Sequence, residues 1–309
     1  MTASISVIPV PANGAEDVVV ASSGPDEGCA FTGTEDGGIW RVAHDGSSVH
    51  RVASTGGRPL GLELLPDGRL LVCDARRGVL RVDPATGRSE AVVEQAFGRP
   101  MRFTNNAAVH SSGDVFFSDS SLHYGIDHWK DDFVQDTRSG RLFRLKEGGG
   151  LSVVLEGLAF ANGVALAADE SYVVVAETAA RTLCRLWLTG DHSGQIDFLA
   201  EDLPGYPDNI ARGSDGLVWV TIASPTDPVV EMLHSAPLII RKQVTKIPER
   251  LQPAPKRTVR VQAYDDAGTL VHDLEVDTPD YHMVTGVREH DGRVWVGSLH
   301  EAAVAVIDT

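Results

Sequence analysis

Short apolar runs separated by polar turns recur along this chain, and their recurrence sets the expected architecture more firmly than any single motif. In FANGVALAADESYVVVAE, residues 160–177, an apolar run at 164–166 meets a polar turn at 168–171 and a second, β-branched run at 172–176, which reads as strand, turn, strand. The unit returns in residues 61–87 around Pro66-Asp67-Gly68, in 106–120 around Ser112-Gly113-Asp114, in 209–224, in 287–308 and, more diverged, in 16–42. Six copies about forty to seventy residues apart are what blades of four short strands produce. The expected fold is all-β, a six-bladed β-propeller closed into a single domain over residues 1–309.

Residues 4–10 read as an isolated strand ahead of the first copy, and the last copy runs to the end of the sequence. Pairing residues 5–9 into the last blade would close the ring and remove an exposed sheet edge. Two segments interrupt the strand pattern, 121–140 and 225–258, and both are expected to be partly helical. The second gathers Arg241, Lys242, Lys246, Arg250, Lys256 and Arg257. That cluster fits a solvated helix face, or a lid over the propeller mouth, where insertions often carry binding function.

Composition narrows the function classes. A net charge of −16 argues against nucleic acid and anionic membranes as partners, since both select a basic face, and is compatible with a cation. No apolar stretch approaches the roughly 20 residues of a membrane span, and the start, MTASISVIPV, lacks a basic segment followed by an apolar core. Cys29, Cys73 and Cys184 are odd in number and set in apolar strand-like runs, as buried reduced thiols would be. A cytoplasmic protein acting on a small molecule is the expectation.

Several catalytic solutions are absent: there is no Gly-x-Ser-x-Gly, P-loop, Gly-x-Gly-x-x-Gly after a strand or Cys-x-x-Cys, and His300-Glu301-Ala302-Ala303-Val304 lacks the second His of a zincin. What remains is a set of oxygen donors at one repeated position. Glu16, Asn105, Asn162 and Asp208 each stand just before the first strand of a different copy, in GAEDVVV, RFTNNAAV, FANGVAL and YPDNIARG. Taken singly, each also fits a turn-forming residue at a strand entry, and Asn162-Gly163 could be a hairpin turn. In a propeller, however, the innermost strands surround the channel, so the four would converge on its mouth. Two carboxylates and two carboxamides suit a hard divalent cation, Ca²⁺ best.

These segments carry a family resemblance. GTEDGGIWRV, GRPLGLELLPDGRLLVCD, RFTNNAAVHSSGDVFFSDSS, SGRLFRL, LPGYPDNIARGSDGLVWV, IPERLQPAPKR and EHDGRVWVGSL resemble the strictosidine synthase-like six-bladed propellers. That group is allied to gluconolactonase (senescence marker protein), diisopropylfluorophosphatase and the paraoxonases. The resemblance implies that Glu16, Asn105, Asn162 and Asp208 hold a catalytic ion, with Asn209 matching a further Asn ligand of paraoxonases. It also marks departures. Thr285 stands where true strictosidine synthases have a Glu, so the base needed for amine–aldehyde condensation is missing. Leu60 and Asp74 replace the paraoxonase His pair.

The leading expectation is a metal-dependent hydrolase of a lactone, ester or phosphoester, with Asp208 or Asp74 activating water or attacking, and His123, Tyr124 and His282 within reach of the mouth. A non-hydrolytic tailoring enzyme, a cyclase or isomerase, and a binding module plugged by its metal are the alternatives.

Overall fold

The computed structural model describes residues 4–247 and 256–308. Six four-stranded antiparallel sheets surround a channel; five are laid down in chain order from the centre outward, and the sixth takes its outermost strand from the start of the chain. The first strands are Val18–Val20, Pro59–Leu64, Thr104–Val109, Ala161–Leu166, Gly205–Arg212 and Val284–His290, in blades 1 to 6. Each touches the first strand of the blade before and after it, which makes a closed inner ring. The propeller expected from the repeats is therefore the fold found.

The strand pattern explains how the blades hold together. Tyr172–Glu177, the second strand of blade 4, is buried along its whole length because both of its faces are covered. Val173 and Val175 pack into the junction with blade 3, while Tyr172, Val174 and Ala176 pack into the junction with blade 5. An apolar cluster of this kind fills each of the six junctions. The outermost strands are instead largely wet, as in Ile196–Ala200, whose first three residues are exposed. Cys29, Cys73 and Cys184 are buried and in no disulfide.

Ser4–Pro9 pairs antiparallel with Ala303–Asp308 as the outermost strand of blade 6, Ser4 opposite Asp308 and Pro9 opposite Ala303. Ile5 packs on the cluster between blades 5 and 6 and Val10 on that between blades 6 and 1. Deleting residues 1–10 is expected to expose the edge of Ala303–Asp308 and cause aggregation or a large fall in melting temperature. A truncated protein that melts with the full chain in a thermal scan would contradict this.

Both interruptions are helical. The first holds a 3₁₀ turn, Ile126–His128, followed by α1, Trp129–Gln135, and the second holds α2, Pro228–His234, and α3, Leu238–Val244. Each helix has seven residues, too short to persist alone, so packing must hold them. Phe133 of α1 meets Phe160, Tyr206 and His234 edge-on, and Arg241 Nη1 donates to Gln135 O at 2.6 Å. Asp227 caps α2 through the backbone N–H of Val229, and a proline occupies the first turn. Of the basic cluster, Arg241 is thus folded onto α1, Lys242 and Lys246 are exposed, and Arg250 lies outside the described residues. No described helix is long and apolar enough to cross a membrane.

Candidate functional site

Asn162-Gly163 makes no hairpin turn; it lies inside the inner strand of blade 4, and the reason is a bulge. Pairing with the second strand slips between Ala161 and Val164, and the same slip occurs at residues 59–62, 104–107, 207–210 and 284–287. A bulge releases residues from the ladder and re-aims their side chains. At each slip two consecutive residues are freed, and in blade 1 Glu16 and Asp17 stand just ahead of the strand.

The first of each pair makes a ring at the mouth: Glu16, Leu60, Asn105, Asn162, Asp208 and Thr285 all line one cavity of about 400 Å³ under the lid helices. The second of each pair makes the layer below. In blades 2, 4 and 6 it is Gly61, Gly163 and Gly286, where a Cβ would stand 2.6 Å from Asn105 O, 2.1 Å from Ile210 N and 2.5 Å from the Asp17 Cα, all backbone of the next blade. In blades 1, 3 and 5 it is Asp17, Asn106 and Asn209. Asp17 Oδ2 accepts from Leu62 N at 2.9 Å and from Asn106 Nδ2 at 3.3 Å, while Asn106 Oδ1 accepts from Val164 N at 2.9 Å. Three residues beyond the mouth ring, Arg288 donates across the channel to Glu63.

The donors at the mouth are held by one end and open at the other. Asn105 Nδ2 donates to Ser120 Oγ and Asn162 Nδ2 to Thr178 Oγ1, each at 3.1 Å. Asn209 Nδ2 donates to the two oxygens of Glu16 at 3.3 and 3.4 Å. The Oδ1 atoms of Asn105, Asn162, Asp208 and Asn209 are buried and have no hydrogen-bond partner in the protein. Four orphaned oxygens, three on mouth-lining residues and one in the layer just below, are costly unless something satisfies them.

Electrostatics point the same way. Burial pushes the Glu16 carboxyl well above its ordinary range, with Asp208 and Asp17 raising it further. Burial also lifts Asp17 and Asp208 to about 7, although Asp208 stays partly accessible at the mouth. Arg58, buried beside Glu16, partly compensates it but has its Nη1 committed to Gly14 O at 2.9 Å, and Arg288, which does the same for Asp17, is paired with Glu63. Among the described residues no three His, Cys, Asp or Glu side chains group closely enough to hold a metal ion by themselves, so a cation at the mouth would depend on the carboxamides as well. Carboxylate and carboxamide oxygens around an acidic, partly dehydrated mouth could hold a hard divalent cation.

Around the donors the wall is aromatic and aliphatic, with Phe103, Phe160 and Tyr206 from the propeller and Trp129, Phe133 and Leu233 from the lid. Sequence reasoning missed this wall, because its residues come from loops with no common spacing. It also missed Asp17 and Asn106, whose signal was present as the second residue of each mouth pair.

Four expected side chains do not line the cavity. Asp74 is fully buried, and its Oδ1 accepts the backbone N–H groups of Arg58, Arg76 and Arg77 at 2.9–3.0 Å. Asp119 and Glu177 do the same for Phe103 N and Ala159 N, so an acid at this strand end fixes the entry to the inner strand. Asp74 is therefore a structural carboxylate and not a base at the mouth. His282 has both ring nitrogens engaged, Nδ1 with Glu301 and Nε2 beside Arg257 Nη1 at 3.3 Å. His123 stays outside the lining, its backbone N–H donating to Ser121 Oγ, and the Tyr124 hydroxyl is spent on Gln135.

Residues 105–191 match the strictosidine synthase family. Over 265 residues the chain is 34% identical to strictosidine synthase-like protein 10 of Arabidopsis thaliana, a stretch that covers 82% of this chain and 70% of that protein. The chain belongs to the strictosidine synthase-like family. Among solved structures it is similar to a gluconolactonase from Xanthomonas campestris, with a TM-score of 0.71 and 15% identity over 99% of this chain and 89% of the other. A calcium-binding regucalcin from Agrobacterium tumefaciens follows, with a TM-score of 0.65 and 15% identity over 97% and 90%. At such identities only the fold is shared. In this strictosidine synthase-like chain the Thr285 hydroxyl donates to Glu16 O at 2.8 Å, which leaves no carboxylate at that position to take a proton.

Proposed function

We propose that this protein is a divalent-cation-dependent hydrolase of a lactone, ester or phosphoester, with Glu16, Asn105, Asn162, Asp208 and Asn209 as the ligands and Ca²⁺ as the best-suited ion. The observation that carries the reading is the set of four buried, unpartnered Oδ1 atoms beside the Glu16 carboxylate. A gluconolactonase and a calcium-binding regucalcin among proteins of the same fold support it.

A bound cation would polarise a C=O or P=O group and offset charge on the developing oxyanion. The chain's own residues do the rest. The aromatic wall takes the apolar part of a substrate and excludes water, and the lid helices α1 and α2 cover it. Asp208, a carboxylate partly open to the cavity, is placed to orient a water or to attack directly. A panel of lactones, aryl esters and organophosphates, assayed with and without chelator, tests the reading. Chelator-sensitive turnover of one class supports it, whereas strictosidine formed from tryptamine and secologanin would replace it with condensation.

A pH dependence follows, with a definite sign. Asp17 and Asp208 titrate near 7 when folded without a cation and about 3.9 when unfolded. Their contribution to cation-free stability is therefore full below about pH 4 and is lost as pH rises through 7. A cation favours the ionised forms and competes with protons. The rise in melting temperature on adding Ca²⁺ is expected to grow from pH 5 to pH 8, and a rise that is equal or larger at pH 5 would contradict this.

A further inference from the structure

The hydroxyls behind the two asparagines follow a pattern. In each blade one residue follows the second-strand partner of the inner-strand entry: Ala75 after Asp74, Ser120 after Asp119, Thr178 after Glu177, Ala223 after Ile222 and Leu299 after Ser298. A hydroxyl stands at this place in blades 3 and 4, where the mouth residue is Asn105 or Asn162. It is absent in blades 2, 5 and 6, where the mouth residue is Leu60, Asp208 or Thr285 and has no amide to orient. In blade 1 the Thr34 hydroxyl is spent on Asp36, at 2.7 Å, and on Trp40 Nε1, at 2.8 Å.

We propose that Ser120 and Thr178 are positioning residues that turn the carboxamide oxygens of Asn105 and Asn162 toward the channel, and so set the affinity of the mouth for a divalent cation. The inference rests on the cation reading above and assigns roles to two residues outside the ligand set. A carboxamide is nearly symmetric in shape, so packing alone distinguishes its oxygen from its nitrogen poorly. Both side chains are almost wholly buried, Asn105 at 3% exposure and Asn162 at 2%, so an Nδ2 without an acceptor would be penalised. With the oxygen facing the channel, Ser120 Oγ and Thr178 Oγ1 supply that acceptor at 3.1 Å. Ser120 is fully buried, which keeps water from replacing it, while Thr178 is 8% exposed and stands at the cavity wall beside Asn162. Without the hydroxyl, the oxygen-out orientation leaves Asn105 Nδ2 unpaired and leaves the Asn162 amide only its contact with the Asp208 carboxylate. The reversed orientation aims N–H groups at the cation.

The test is calorimetric titration of Ca²⁺ into the chelator-treated protein. Thr178→Val, close in shape, is expected to weaken binding about 10- to 100-fold, as loss of a group that orients a ligand does, and Thr178→Ser to restore it. Asn162→Asp supplies an oxygen at either end and has no N–H to satisfy. In that background Thr178→Val is expected to cost nothing, or to strengthen binding slightly, because a hydroxyl donating to the carboxylate no longer competes with the ion. A purely structural role for Thr178 would weaken both backgrounds alike. Equal losses in the two backgrounds, or Thr178→Val binding as wild type does, would overturn the inference and leave the cation reading standing. A wild-type protein that binds no divalent cation would overturn both.

Discussion

Asp208→Ala is expected to abolish hydrolysis while making the cation-free protein more stable. The two effects come from one carboxylate. With a cation bound, Asp208 is a charged ligand, and its removal should weaken binding by about 100-fold or more and lower kcat by about 1,000-fold. In chelator, the same side chain is a desolvated acid that raises the Glu16 carboxyl further, and its own Oδ1 has no partner. Deleting it relieves that repulsion, so the melting temperature in chelator should rise while the response to Ca²⁺ disappears. Such an opposition of function and stability is ordinary at a site strained for a ligand. Thermal scans with and without Ca²⁺, run beside the hydrolytic assay, check both halves. Full activity in Asp208→Ala, or a fall in its melting temperature under chelator, would contradict the assignment.

Gly163→Ala is the second large effect and acts through the fold. A methyl group at Gly163 would stand 2.1 Å from Ile210 N and 2.6 Å from the Asn209 Cα, both in the inner strand of the next blade. Backbone cannot give way as the tip of a flexible side chain can, so blades 4 and 5 would have to part at the channel. We expect a loss of about 3 kcal/mol or more, at the upper end of overpacking costs. Displacement of Asn162 and Asn209 should weaken cation binding as well. Gly125→Ala is the control, since its nearest neighbour would be Arg102 O at 3.4 Å, an ordinary contact. Denaturant unfolding of the two variants distinguishes them, and equal midpoints would show that the inner ring tolerates the methyl group.

The sequence was informative wherever one physical constraint repeats. Each blade needs strands buried on both faces, so continuous apolar runs such as residues 172–176 recur and the propeller could be read from them. The isolated strand before the first copy implied the pairing of Ser4–Pro9 with Ala303–Asp308. Glu16, Asn105, Asn162 and Asp208 were visible as candidates because they share a position in the repeat, and all four line the cavity. Asp74 misled for the same reason that made the repeat legible: an acid at that strand end recurs as Asp119 and Glu177 to hold backbone N–H groups, and one copy viewed alone looks like a base. The alternation of Gly61, Gly163 and Gly286 with Asp17, Asn106 and Asn209 is written in the chain, yet its meaning depends on which blade faces which across the ring. The aromatic wall was not legible at all, since Phe103, Phe133, Phe160 and Tyr206 meet only after the lid has folded over the mouth.

The most direct measurement of the central claim is a titration of Ca²⁺ into chelator-treated protein, followed by calorimetry and by hydrolytic rate on the same samples. The account predicts one ion per chain, activity returning in proportion to the ion bound, and neither signal in Asp208→Ala. Activity at full strength in protein shown by elemental analysis to hold no divalent metal would contradict it.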